Sequence, residues 1–181
     1  MSKQELTPET LDSLTFEEYG SGPGIEGAWR RPLRKHRSEN GWFLELYRLD
    51  AGRVEGPEGE RVTLRQLSVS YADPGRVNAF HIHPNQPQNE AWTVVRGQLL
   101  VWLVDCRASS ASAGVQQRVV LSAEEPELLH IPAGVAHGYR AGSEGALLVY
   151  GMDQQFDPRS PNEGRLAWDH FGAGLWEKDR G

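Results

Sequence analysis

The chain has 181 residues, of which 38% are hydrophobic and 24% charged, with twenty Gly and eleven Pro; that size suits one domain, and the abundance of turn residues suits many short strands. A formal net charge of -6 weighs against a nucleic-acid partner. Cys106 is the only cysteine, which rules out an intramolecular disulfide, a zinc knuckle and a Cys-x-x-Cys redox pair, and no run approaches the roughly 20 apolar residues of a membrane span.

The first residues, MSKQELTPETLDS, carry no signal-like apolar core, so a cytoplasmic protein that contacts no membrane is expected. Thr7 and Pro8 form a helix-start signal, and Leu11, Leu14 and Phe16 follow among acids, predicting a short helix over 7–19. Gly20–Gly27 interrupts it. Residues 1–30 are therefore read as an N-terminal helix and linker, and 31–181 as a single domain. Arg30, Arg31, Arg34, Lys35, His36 and Arg37 make a local basic run, read as a solvated loop.

From about residue 40 the pattern is strand-like. Runs at 42–47, 62–71, 77–83, 91–95, 98–105, 116–121, 128–131 and 146–150 are short, rich in β-branched or aromatic residues, and separated by turn residues. Eight such strands predict an all-β sandwich or jelly roll. Arg96-Gly97 reads as a tight hairpin and Pro132-Ala133-Gly134 as a second sharp corner.

One constellation carries chemistry. His81 and His83 share a strand face by period two, Glu90 arrives on the following strand, and His137 returns after the Pro132–Gly134 corner. Three imidazoles and a carboxylate suit a divalent transition metal such as Fe, Mn, Ni, Co or Zn, with positions left open for water or substrate. The bland reading is a hydrogen-bonded polar pocket. Trp92 shares the face of Glu90 if both lie on one regular strand, and Trp102 is read as core or dimer interface. His36 and His170 are read as surface residues.

The segments Gly75–Gly97 and His130–Tyr139 resemble the two cupin motifs, Gly-x5-His-x-His then Glu then x6-Gly, followed by Pro-x-Gly-x2-His. The resemblance implies a double-stranded β-helix. Six residues separate His83 from Glu90, where the motif has three or four, so the loop over 84–89 is long and Glu90 is open to displacement. More narrowly, 31–176 resembles the dTDP-4-dehydrorhamnose 3,5-epimerase family, through Ser38-Glu-Asn-Gly-Trp-Phe-Leu-Glu-Leu-Tyr47, Val104-Asp-Cys-Arg-Ala-Ser109, Ala136-His137-Gly138-Tyr139 and Trp168-Asp169.

That resemblance implies His81 as the base that removes a proton beside a C4 ketone and Tyr150 as the acid that returns one from the opposite face. It further implies Gln66 and Asn78 at substrate-contacting positions, no nicotinamide cofactor, a small carbohydrate-like substrate and a homodimer. The chain departs from the family at three cationic positions, which fall at Asn78, Glu90 and Asn40. The family aspartate that orients the histidine has only Asp179 as a loose counterpart. Epimerisation of a sugar carbonyl compound, metal-assisted or not, is the leading expectation; a metal-dependent dioxygenase and a non-catalytic sugar-binding cupin are the alternatives.

Overall fold

The computed structural model describes residues 5–16 and 22–178. Helix α1 covers Pro8–Ser13, shorter than the 7–19 expected; Thr7 caps it by accepting from the Thr10 amide, and Leu14 is already extended. The remainder of the predicted span, from Glu17, lies outside the described residues. Every residue of α1 is exposed, so nothing in the protein body holds a longer helix against fraying.

Thirteen strands follow: β1 (Trp29–Pro32), β2 (Lys35–Ser38), β3 (Gly41–Leu44), β4 (Leu49–Asp50), β5 (Arg53–Glu55), β6 (Arg61–Thr63), β7 (Gln66–Ala72), β8 (Val77–Ile82), β9 (Glu90–Asp105), β10 (Gln116–Ser122), β11 (Glu127–Ile131), β12 (Val135–Met152) and β13 (Gly164–Arg165). All pairings are antiparallel. β2 and β3 form a separate hairpin, and β4, β5 and β6 a small meander. The expected all-β jelly roll is present.

Its frame is the pair β9 and β12, which run antiparallel from Glu90↔Met152 to Asp105↔Val135. The first part of β9 also pairs with β11, the second with β10. The second part of β12 pairs with β7, the first with β8, and β13 adds to β8 at Arg165↔His81. Each long strand thus crosses from one sheet to the other. Leu99, Val101 and Leu103 of β9 point inward at period two, and pack with Val119, Leu121, Leu129, Ile131, Tyr139 and Leu148. Ile25 also enters this core, so the packed body begins before β1 within the segment read as linker.

Arg96-Gly97 is not a hairpin. It lies inside the 16-residue β9, opposite the irregular stretch of β12 between Ala141 and Ala146. Gly97 has φ +70, and a Cβ built on it would collide with the Gly145 carbonyl. The positive φ expected of a turn here bends a continuous strand. Trp102, on the opposite face of β9, donates to the Leu175 carbonyl at 2.8 Å and packs with Phe80, Val104 and Trp176 beneath the C-terminal segment.

The Val104–Ser109 signature closes the end of β9. Buried Asp105 accepts from the amide, Nε and guanidinium of Arg107 and from the hydroxyls of Ser110 and Ser112. The Arg107 and serine bonds hold its carboxyl well below the usual carboxylate range, against the effect of burial. This motif is structural.

Gly97→Ala must relieve both a left-handed conformation and a backbone clash at the crossing of the two sheets. A loss of about 2–4 kcal/mol is expected, read as a lower midpoint in urea with little change in slope.

Candidate active site

The two sheets enclose a cavity of about 340 Å³. His81 reaches it from β8, His83 from just beyond β8, Glu90 and Trp92 from the start of β9, and His137 and Tyr150 from the two ends of β12. Gln66 and Asn78 also line it, as does Glu163 from the loop before β13. Every sequence-predicted site residue therefore faces one cavity, although the residues do not form one cluster.

Glu90 is the centre of the deep part. Its Oε1 lies 2.7 Å from His83 Nε2 and accepts from Gln88 at 3.0 Å, while its Oε2 accepts from the Trp92 indole at 2.6 Å. The long loop over 84–89 does not displace it. Asn162 pins that loop, accepting from the Asn85 and Gln86 amides and donating to the Gln86 carbonyl. Trp92 shares the face of Glu90, as period two requires, and its ring meets His137 edge-on at 5.2 Å.

His83 Nδ1 lies 2.6 Å from the Asn162 carbonyl, and its Nε2 lies 2.7 Å from the Glu90 carboxylate and 3.2 Å from the Gln88 amide nitrogen. Donation from both ring nitrogens to the carboxylate and the carbonyl corresponds to the imidazolium form. Burial lowers its pKa, but Glu90, the Asn162 carbonyl and Glu163 outweigh that and leave it above the ordinary value. Burial would raise Glu90, yet His137, His83 and Trp92 bring its carboxyl down to about 2. The result is a buried ion pair with no net charge.

His137 donates from Nδ1 to the Val135 carbonyl at 3.1 Å. Burial first, and the charge on His83 further, lower its pKa against the pull of Glu90, so it is neutral with Nε2 unprotonated. His81 is also pushed down, by burial and then by His137 and Arg165, against Glu163. Its Nδ1 lies 3.3 Å from Glu163 Oε2 and its Nε2 3.2 Å from Asn78 Oδ1. Tyr150 is pushed up, by burial and then by the Glu90 charge, so its phenol keeps its proton at neutral pH.

Of the four expected metal ligands, His83, Glu90 and His137 offer donor atoms within 4.8 Å of one another. His81 is outside that group, its ring stacked 6.1 Å from that of His137 and its nitrogens committed to Glu163 and Asn78. The trio fits a divalent ion in ligand type. An ion there would have to take the place of the proton on His83 Nε2.

Gln66 donates to Ser68 and accepts from the Phe156 amide, fixing the loop that closes one side of the cavity. His130 turns away, bonding the Gly27 carbonyl and stacking on Trp29. His36 is exposed, as is His170. Asp179 lies outside the described residues. Sequence reasoning missed Glu163, Asn162 and Gln88. Glu163 is 82 positions from His81, and no spacing rule joins them.

An antiparallel jelly roll whose two bent long strands line one polar cavity is the architecture of a cupin. Residues 23–176 match the dTDP-4-dehydrorhamnose 3,5-epimerase family, and the chain belongs to that family of isomerases. The spore coat polysaccharide biosynthesis protein SpsL of Bacillus subtilis is 35% identical over 146 residues, 80% of this chain and 91% of that protein. The dTDP-4-dehydrorhamnose 3,5-epimerase of Methanothermobacter thermautotrophicus is 27% identical, covering 83% of this chain and 79% of the relative. Among solved structures, a dTDP sugar isomerase from Desulfovibrio desulfuricans superimposes with a TM-score of 0.69 at 27% identity, over 86% of this chain and 91% of that one.

Removing either member of the buried ion pair leaves a charge without its partner. His83→Ala is expected to cost about 3–5 kcal/mol in denaturant unfolding. Pairing it with Glu90→Gln should cost clearly less than the sum of the two single losses.

Proposed function

We propose that the chain epimerises a nucleotide-linked 4-keto-6-deoxysugar, with His81 as base and Tyr150 as acid. The observation that carries this reading is geometric: the His81 imidazole on β8 and the Tyr150 phenol near the far end of β12 face one cavity, the imidazole with its pKa lowered by burial and the phenol with its pKa raised by burial. The C4 carbonyl acidifies the hydrogens on C3 and C5. His81 takes one of them, the electron pair moves onto the C4 oxygen as an enolate, and Tyr150 gives a proton to the opposite face of the carbon. One proton leaves and one arrives, so no redox cofactor enters.

The pairing of Glu90 with His83 bears on the missing cationic contacts. A free carboxylate would oppose the enolate, but this one is neutralised at 2.7 Å. Asn78, at the position of the family's arginine, supplies a neutral amide instead. Slower turnover than in a relative with the full cationic set is therefore consistent with the site.

The purified protein, given dTDP-4-keto-6-deoxyglucose in deuterated water, should incorporate deuterium at C3 or C5 by mass spectrometry. His81→Asn should slow incorporation by about 10²–10⁴-fold, and Tyr150→Phe should reduce epimer formation. Absence of incorporation over a long incubation at high enzyme concentration would sink this substrate.

A second reading is favoured by the three donors of His83, Glu90 and His137. A divalent ion held there would supply a Lewis acid for the carbonyl, while His81, outside the trio, would remain free to move the proton. On this reading, protein purified without chelator carries about one transition metal per chain and Glu90→Gln abolishes it. Metal-free protein with full deuterium incorporation would dismiss it.

A further inference from the structure

We infer that Ser68 and Gln66 are positioning residues for Tyr150, holding the phenol so that its hydrogen points into the cavity; this rests on the reading of Tyr150 as the acid. Ser68 lies on β7 directly across the ladder from Tyr150 on β12. Residues that face each other in an antiparallel pair share a face of the sheet, with Cβ atoms about 5 Å apart. Gln66, two residues earlier on that face, stands opposite Met152 and lines the cavity.

One backbone amide sets the direction of the hydrogen bonds. The Phe156 N–H can only donate, and it lies 2.8 Å from Gln66 Oε1. That decides which end of the Gln66 amide is oxygen, so Nε2 donates to Ser68 Oγ at 3.2 Å. A hydroxyl that accepts there keeps its own proton for another partner. Burial and the Glu90 charge push the Tyr150 phenol up, and a hydrogen bond from Ser68 opposes them. Donation thus runs from Phe156 to Gln66, from Gln66 to Ser68 and from Ser68 to Tyr150.

A phenol oxygen that accepts from Ser68 sends its own hydrogen elsewhere, and its open side is the cavity that Tyr150 lines. The bond also strengthens as the proton leaves, because a phenolate is a better acceptor than a phenol. Reversed, the network would let Ser68 accept from Tyr150 and turn the proton away from substrate. Gln66, which the family resemblance places against substrate, has both ends of its amide engaged by the protein.

The test is Raman spectroscopy of the protein without substrate at neutral pH. The intensity ratio of the tyrosine Fermi doublet is high where the phenol oxygen accepts a hydrogen bond and low where the phenol donates, and subtracting the spectrum of Tyr150→Phe isolates Tyr150. The wild-type difference is expected at the accepting end. Ser68→Ala and Gln66→Met should each move it towards the donating end, the second because Ser68 is then free to accept. Ser68→Thr should keep the wild-type ratio, and Ser70→Ala, one step along the same face and opposite Leu148, should leave it unchanged. Glu90, Glu163 and Tyr139 also act on the phenol and are kept in every variant, so the difference reads the Ser68 bond. Where Ser68→Ala does not fold, Gln66→Met carries the test. A wild-type ratio at the donating end, or one that Ser68→Ala and Gln66→Met leave unchanged, overturns the assignment.

In the deuterium experiment, Ser68→Ala should lower epimer formation about ten- to a hundredfold with KM within about twofold, and Ser68→Thr should restore most of the loss. Deuterium in recovered substrate, which needs only His81, should fall less. The doublet is read without substrate, so it decides the role of Ser68 whether or not dTDP-4-keto-6-deoxyglucose proves to be a substrate.

Discussion

The ladder between β9 and β12 is the constraint from which the site follows. Because these strands pair along nearly their whole lengths and bend together near Gly97, each contributes to both sheets. A side chain near one end of β12 therefore faces one near the other end across an enclosed space. His137 and Tyr150 are thirteen residues apart on a single strand and line the same cavity. Without the bend, a continuous sheet would hold them some 40 Å apart at about 3.3 Å per residue.

Within this frame, the deep part of the cavity is organised by one buried carboxylate. Glu90 is bonded to an imidazolium, an indole and an amide. Burying a carboxylate is costly unless its lone pairs are satisfied and its charge is matched. Both conditions are met by residues of β9, the adjoining loop and the end of β8. The pair removes the objection that a carboxylate in place of a lysine makes the cavity hostile to an enolate. It also separates roles, since His83 is occupied as a cation while His81 and His137 remain neutral.

The family resemblance and the geometry meet at His81 and Tyr150 and diverge around them. The chain retains the histidine and tyrosine positions, loses cationic contacts, and builds a second polar cluster from His83, Glu90 and His137 beside His81. Asn162 and Glu163 tie the two clusters together, one through its carbonyl and the other through its carboxylate. The loop over 84–89, long by the cupin standard, is accommodated by the same segment.

Local pattern was enough to determine the all-β class, the histidine and glutamate positions, the shared face of Trp92 and Glu90, and the glycine with positive φ at 97. These depend on period-two alternation and turn chemistry, which act over a few residues. The same pattern misassigned Gly97 to a hairpin, because a glycine that reverses the chain and one that bends a strand have the same local conformation; only the partner strand, with Gly145 at the contact, distinguishes them. It also grouped His81 with the metal-type donors, since alternation specifies a face and not the direction of a ring. Glu163 and Asn162 had no local signature at all. Their places come from β13 pairing with β8 some 80 residues away, and that contact exists only once the sheets have closed.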